Sequence, residues 1–320
     1  MNTKQRVLTA LLANGNEWHS GDSLASELGL SRESVWKAIN ALRKAGHEII
    51  ARKSQGYRYV GCSHLDEMVI AYHLQNALPL TVENVVTSTQ DVAKSWLAAQ
   101  TTVTTAAFVA DRQTHGYGRR GRGFYSPAES GLYLSLVIPN PQADLTQVGL
   151  LTTGVATAVV AVLQDFFPNA DFGLKWVNDV MLNHKKVAGI LCEAVLALES
   201  ATSAAFVIGV GLNLDTASFP DDLANVAGAI SDQAIDRNAL AAKLISAIVE
   251  RASDYQTAAF LPEYRRLSTV VGHSVTVKLG EQQLTGKVVD IADNGGLELL
   301  TDQGVQTITA GEVVKVSVDE

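Results

Sequence analysis

Only two cysteines, Cys62 and Cys192, occur in 320 residues. Neither belongs to a CxxC pair, which excludes a disulfide framework and a cysteine-based zinc site and favours a reducing compartment. No apolar signal core follows the N-terminus. The longest apolar-leaning run, Val148 to Leu163, is about 16 residues, interrupted by Thr152, Thr153, Gly154 and Thr157. A bilayer span needs roughly 20, so this run is expected to be a buried helix of a soluble, cytoplasmic protein with no membrane partner. No long internal repeat or low-complexity stretch is visible. A basic balance, the usual footprint of a nucleic-acid binder, is also missing: 25 Lys+Arg against 33 Asp+Glu leave a net charge of −8. What is present is a 47% hydrophobic composition, enough to bury a core and to argue against disorder. The length alone suggests about two domains.

The net charge conceals an asymmetry. Residues 1–60 carry nine Lys/Arg and five Asp/Glu, a net of +4, which leaves −12 for the remainder. Such a difference points to parts with different partners. Val7, Leu8, Leu11 and Leu12 fall at helical spacing, and Asn14-Gly15-Asn16 ends that helix. A second helix starts at Ser20 or Gly21 and stops at Gly29. Ser31 is a good N-cap for a third, with Val35, Ile39 and Leu42 apolar. Two short helices joined at Gly29-Leu30 form a helix-turn-helix pattern. Residues 48–52 and 57–60 read as strands flanking the basic tip Lys53-Ser54-Gln55-Gly56, a hairpin wing. A winged helix of this kind would place the third helix in the major groove, through Ser31, Arg32, Ser34, Trp36, Lys37 and Asn40, with Lys53 on the wing. The same fold used only for protein contacts is the alternative. Phosphate contacts from Lys and Arg would make DNA binding salt-dependent.

After a hinge at residues 61–66, helices are expected near 65–77, 90–100, 146–167 and 236–256, the last capped by Asp236. Apolar strands are expected near 82–87, 105–110, 131–138, 172–177, 179–183, 186–195 and 203–211. The order is not a regular strand–helix alternation, so the fold class is α+β with a mixed sheet. From about residue 270 five short strands follow closely, separated by Gly- and Asp-rich turns, a pattern of a small barrel.

Four segments carry chemistry. Gln113-Thr114-His115-Gly116-Tyr117-Gly118-Arg119-Arg120-Gly121-Arg122-Gly123 combines glycines that let backbone approach a ligand with always-charged guanidinium forks suited to carboxylate or phosphate. It is neither a Walker loop nor a dinucleotide fingerprint. Lys175-Trp176-Val177-Asn178-Asp179 and Lys185-Lys186-Val187-Ala188-Gly189 place cations, an amide and a carboxylate on a hairpin, which could equally be a surface salt bridge. Gly209-Val210-Gly211-Leu212-Asn213 is a glycine-bearing strand end. Thr87-Ser88-Thr89-Gln90 either caps a helix or hydrogen-bonds a ligand.

In order and spacing these segments resemble the biotin protein ligases, and the winged helix and C-terminal strands resemble the bifunctional bacterial form that is also a biotin-operon repressor. The resemblance covers essentially the whole chain. It implies a winged helix-turn-helix domain (1–63), a mixed-sheet α/β biotin/ATP-binding catalytic domain (64–268) and a small SH3-like β-barrel (269–320). It implies ATP and biotin as substrates with Mg²⁺, biotinyl-5′-AMP as intermediate, a lysine of a biotin carboxyl carrier domain as acceptor, operator DNA as a partner, and a homodimer when biotinyl-AMP is bound. Position by position, Ser88, Thr89 and Gln113 would meet the ureido ring of biotin, with Gly116 and Tyr117 close by. Arg119, Arg120 and Arg122 would lie on a loop folding over biotin and phosphates. Lys186 would meet the biotin carboxylate and α-phosphate, and Asp179, with Lys186 and Arg119, would be catalytic. Lys175, Asn178 and Asn213 would face the nucleotide. No dedicated protein site for the metal is implied; Mg²⁺ would enter through the phosphates. Two positions depart from the family pattern: Tyr117 stands where arginine is usual, and Val177 where proline is usual. Alternatives are a non-enzymatic biotin-sensing repressor and a lipoate or octanoate transferase.

Overall fold

The computed structural model describes residues 1–140, 147–196, 204–215, 219–233 and 235–317. The chain forms two compact units, one of residues 1–77 and 235–242, the other of residues 78–234 and 243–320.

In the first unit, helix α1 (Thr3–Ala13), α2 (Gly21–Leu28) and α3 (Arg32–Lys44) precede a hairpin of β1 (His47–Arg52) and β2 (Gly56–Cys62), then α4 (Glu67–His73). Each start has a physical cause. The hydroxyls of Ser20 and Ser31 accept the N–H groups of Ser23 and Ser34, and Asn2 with Gln5 forms a capping box. Gly29 ends α2 at φ 60°, a left-handed cap that costs glycine nothing. Val35, Ile39 and Leu42 of α3 are no more than 1% exposed and pack with Val7, Leu8 and Leu11 of α1. Each such buried aliphatic side chain contributes about 1.5–3 kcal/mol.

Residues 61–66, expected as a hinge, lie inside this unit and contribute to a compact polar cluster. His47, 4% exposed, faces the Tyr59 hydroxyl (3.2 Å) and the Asp66 carboxylate (3.7 Å), with the His64 ring 5.9 Å away. Asn238 accepts the Asp66 N–H and donates to the His64 carbonyl. Burial lowers the His47 pKa from its ordinary value; Asp66 opposes this, while His64 and Lys4 add to it. The unfolded chain therefore binds a proton that the folded one resists. Stability of this unit should be complete above pH ~6.5 and fall as pH drops below that value, with a slope of up to about 1.4 kcal/mol per pH unit. Urea unfolding of the chain between pH 5 and 8 checks this, and His47→Gln should flatten the dependence.

The second unit is built on a seven-stranded sheet ordered β3-β4-β5-β9-β8-β7-β6. The strands are β3 (Leu80–Val86), β4 (Ala106–Gln113), β5 (Gly131–Pro139), β6 (Phe172–Lys175), β7 (Asp179–Leu182), β8 (Lys185–Leu196) and β9 (Ala204–Asn213). Only β3 and β4 pair in parallel; the other neighbours are antiparallel, so the sheet is mixed as expected. Between them come α5 (Thr89–Ala98) and α6 (Val148–Phe166), and after them α7 (Arg237–Asp254), whose start Asp236 caps by accepting the N–H groups of Asn238 and Ala239. Helix α6, 19 residues, falls within the helix expected at 146–167, and by length and apolarity it could cross a membrane. Here it is largely buried, and the hydroxyls of Thr152, Thr153 and Thr157 bond back to carbonyls of their own helix.

A short helix not foreseen in the sequence, α8 (Leu261–Leu267), leads to β10 (Ser274–Leu279), β11 (Gln282–Ile291), β12 (Leu297–Thr301), β13 (Gly304–Ile308) and β14 (Glu312–Ser317). All five expected strands form, in the order β13-β12-β11-β10-β14. The pairing stops at β13 and β14, which do not join among the described residues, so the sheet is open where the strand pattern suggested a closed barrel. Helix α8 supplies Arg265, whose guanidinium donates to the Ile291 carbonyl and pairs with Asp290 and Asp293.

Candidate active site

The Gly- and Arg-rich segment folds as a small hairpin. Phe124 N donates to Gly116 O and Gly118 N to Arg122 O, both at 2.8 Å. At its tip Arg120 and Gly121 adopt φ 58° and 71°. The root admits no side chain at Gly116: a Cβ there would lie 2.6 Å from Ser126 Oγ, 2.7 Å from Gln113 Nε2 and 2.9 Å from Phe124 O.

This hairpin borders a cavity of about 540 Å³. Its floor is the β8–β9 pair, where Gly189 and Gly211 are direct partners. Phe124 lies against Gly211, at which a Cβ would come within 2.6 Å of the ring. The glycines at the strand end thus leave room for an aromatic wall, a closer packing than a tight strand exit requires.

One group of lining residues is neutral and polar. Gln113 Oε1 accepts the Thr89 N–H (2.8 Å) and Gln113 Nε2 donates to Ser126 (2.9 Å). Ser88 is 2% exposed, lines the cavity, and its hydroxyl caps α5 by accepting the Gln90 N–H, as the capping reading expected. A second group of lining residues is charged. Lys186 Nζ lies 2.6 Å from Asp179 Oδ1, and Arg119 donates to Asn178 Oδ1 at 3.3 Å. Asn178 is held in turn by Ile190, to whose carbonyl its amide donates. Burial, then the neighbouring Arg120, lowers the pKa of Arg119, while Asp179 works the other way. A half-buried guanidinium beside a second one is an electrostatic debt that an entering anion relieves. Lys175 and Asn213 also line the cavity, Asn213 at 4% exposure. Arg120 is exposed, and Arg122 pairs with Glu312 of β14.

Val177 sits in the tight connection between β6 and β7, where the Trp176–Val177 peptide is cis. Trp176 Nε1 donates to Gly295 O (2.9 Å) and the Tyr264 hydroxyl to Val177 O, so the turn is anchored without a proline. Neither cysteine is poised as a nucleophile: burial pushes the Cys62 thiol up to about 11 and Cys192 to about 12.

The sequence reading missed Ser135 and Glu193, two partners of Gln90. Ser135 Oγ donates to Gln90 Oε1 (2.9 Å), and Gln90 Nε2 donates to Glu193 Oε2 (2.8 Å). Lone polar residues in the apolar strands 131–139 and 185–196 were the available signal, since a buried polar atom needs a partner.

In the first unit the foreseen face of α3 is presented to solvent. Trp36 is 56% exposed; Arg32 pairs with Asp22 and Lys37 with Glu33 (2.7 Å). Asn40 is half-buried, Ser31 and Ser34 share a hydroxyl contact at 2.9 Å, and Lys53 is exposed at the wing tip. Trp18, not foreseen, lies between the guanidinium groups of Arg52 and Arg58, each 4.9 Å from its ring centroid.

The Biotin/lipoate A/B protein ligase family model matches residues 82–213, which hold nearly all of the seven-stranded sheet and most of the cavity lining. The bifunctional ligase/repressor BirA of Bacillus subtilis (strain 168) is 31% identical over 309 residues, covering 93% of this chain and 94% of that protein. This chain belongs to the biotin protein ligase family. Within that family it is similar along nearly its whole length to the Escherichia coli (strain K12) bifunctional ligase/repressor BirA, at 31% identity over 326 residues, with 98% of this chain and 97% of that one covered. Like a family member of the two-function kind, it matches an HTH domain at residues 3–58 and a Biotin protein ligase C terminal domain at 270–316. Its fold is similar to the biotin protein ligase from Aquifex aeolicus in complex with biotin and ATP, with TM-score 0.63 and 30% identity over 75% of this chain and 100% of that one.

Proposed function

We propose that this chain activates biotin with ATP to biotinyl-5′-AMP, transfers the biotinyl group to a lysine of a biotin carboxyl carrier domain, and represses biotin genes by binding operator DNA. The observation that carries this reading is a cavity lined both by a hydrogen-bonded group of amides and hydroxyls and by Lys186, Asp179 and Arg119. A ureido ring needs neutral donors and acceptors, for which Ser88, Thr89 and Gln113 are suited. The carboxylate of the same molecule must approach an α-phosphate, and two anions meet only where positive charge offsets their repulsion.

Lys186 is the residue for that junction. The biotin carboxylate oxygen attacks the α-phosphorus, the bond to pyrophosphate breaks, and Lys186 and Arg119 hold the charge on the oxygens. Arg120, Arg122, Lys175, Asn178 and Asn213 then serve the nucleotide side. In the second step a carrier lysine amine attacks the mixed anhydride carbonyl and AMP leaves, with Asp179 beside the incoming amine. No protein nucleophile takes part. Mg²⁺ would enter on the phosphates and add positive charge there. The hairpin 116–123 excludes water from the anhydride.

The functional division is at 1–63, 64–268 and 269–320. The ligase works in the cytoplasm, off the membrane, and biotinyl-AMP promotes a homodimer whose paired winged helices read a palindromic operator. Incubation with ATP, Mg²⁺ and either biotin or lipoate, with a carrier domain, tests the chemistry. Mass addition from biotin on the carrier lysine is expected. Addition from lipoate alone would assign a lipoate transferase, and no addition a non-enzymatic repressor. On the DNA side, Lys53→Ala and Lys37→Ala should each reduce the slope of log K against log salt by about 0.9, one phosphate contact, in operator binding measured from 50 to 200 mM salt. An unchanged slope removes that lysine from the interface.

A further inference from the structure

Tyr117 occupies the position where the family pattern has arginine, and its surroundings are specific to that phenol. Its hydroxyl donates to Asp91 Oδ1 at 2.8 Å and accepts from Lys94 Nζ at 3.2 Å. The Lys94 ammonium also lies 5.6 Å from the centre of the tyrosine ring. Both partners are on α5, one turn apart. Lys94 is itself held by Glu193 Oε2 at 2.7 Å, across on β8, and that same oxygen accepts from Gln90 Nε2 at 2.8 Å. From Gln90 the hydrogen bonds continue to Ser135 (2.9 Å), from Ser135 to Thr89 (2.9 Å), and from Thr89 to Gln113. The polar chain therefore runs from the rim hairpin, through a half-buried ion pair, to the amide proposed to meet the biotin ring.

We infer that Tyr117, Lys94 and Glu193 form a positioning clamp that holds hairpin 116–123 over the cavity and ties it to Gln113. None of the three needs to touch the reacting atoms. An anchor at Tyr117 is effective because Tyr117 bridges Gly123 and sits between the two backbone bonds that close the hairpin, so restraining one residue restrains the whole strap. Charge assistance makes the Lys94–Glu193 link the strongest of the chain. Burial works against the Lys94 charge, yet its bonds to Glu193 and Tyr117 raise its pKa, and burial together with the Asp91 bond raises that of Tyr117. The ammonium and the neutral phenol that the clamp requires both persist through neutral pH. Contacts made equally before and after chemistry do not speed it; this clamp governs how long the activated intermediate stays shielded.

The inference rests on the ligase reading for its consequence, but its geometry is testable without ligand. Amide hydrogen exchange of residues 116–123 in the ligand-free full chain should be about 3- to 10-fold faster in Tyr117→Phe and in Lys94→Met than in the parent, the factor expected for loss of one such bond. A Lys94→Met/Glu193→Gln double variant removes the carboxylate left unpaired by the single change and should show the same acceleration, with an unchanged thermal melt confirming the fold. The second readout is the release rate of preformed biotinyl-5′-AMP, expected to rise by a similar factor in both Lys94 variants while the single-turnover rate of its formation changes less than twofold. Equal exchange in parent and variants overturns the clamp, as does a loss of formation that matches the gain in release. Absence of adenylate in the parent sinks the ligase reading alone, and the exchange arm still decides the clamp.

Discussion

Lys186→Ala should lower the single-turnover rate of biotinyl-5′-AMP formation by about 10²- to 10³-fold, the range set by removal of one preorganised charge-stabilising donor, ~2.7–4 kcal/mol. The side chain is built for one position. Its backbone is fixed to the 219–230 segment, Lys186 N donating to Val226 O and Gly228 N to Lys186 O. Its ammonium is paired with Asp179 at 2.6 Å, and Gly189 lies beneath it, where a Cβ would stand 3.0 Å from Nζ. Alanine leaves Asp179 without its counter-charge at the place where an incoming anion must sit, so repulsion is added to the loss of attraction. Arginine should rescue poorly, because its planar fork is bulkier than the space above Gly189 and directs its donors differently. Pyrophosphate release in rapid-quench experiments measures the rate. A loss of less than tenfold would remove Lys186 from the junction between carboxylate and α-phosphate.

The second large effect is expected at Gly116→Ala, which should raise the KM for biotin by at least about tenfold, ~1.4 kcal/mol. The methyl would have to share space with Ser126 Oγ, Gln113 Nε2 and Phe124 O, all under 3 Å from its ideal place. The hydroxyl and amide are the two that hold Gln113 in its orientation, and the Thr89 N–H depends on the same amide's oxygen. Relief of the clash thus reorients the group assigned to the ureido ring. Overpacking of this kind also costs about 1–3 kcal/mol of stability, so the thermal melt is read alongside the kinetics. A change in the KM for ATP with biotin KM unaltered would place Gly116 at the nucleotide instead.

The first unit could be read almost entirely from its residues. Its helices are short, their apolar positions recur at 3–4 residues, and Ser20, Gly29 and Ser31 act on the backbone within a few residues of themselves. Such signals survive without knowledge of neighbours. The helix expected at 146–167 formed as Val148–Phe166, and the threonines that seemed to interrupt its apolar run bond to their own helix and are buried with it. Helix α8 escaped notice because seven residues, three of them the charged Glu263, Arg265 and Arg266, carry little periodicity.

For the cavity, local chemistry and assembly separate cleanly. The Gly–Arg segment, Lys175–Asp179 and Lys186 could be singled out because unusual residue types crowd within short spans. Which of them meet was not contained in those spans. Arg119 reaches Asn178 and Arg122 reaches Glu312 across 59 and 190 residues of chain. Ser135 and Glu193 looked like isolated polar residues until the sheet and α5 put them in one hydrogen-bonded line with Gln90. The open order of the C-terminal sheet was equally out of reach, since five strands of the right length are compatible with closing or not closing.

By itself, the sequence determined the helix-turn-helix with its basic face, the strands and all the longer helices, and the segments rich in cations and glycine. These follow from backbone preferences and side-chain periodicity, which act over a few residues. The tertiary structure alone decided that neutral donors and cations share one cavity, that glycines 189 and 211 pair to make its floor, and that Tyr117 is tied through Lys94 and Glu193 to Gln113. Those facts depend on strand order and on burial, where an unpartnered polar group is costly enough to dictate its neighbour.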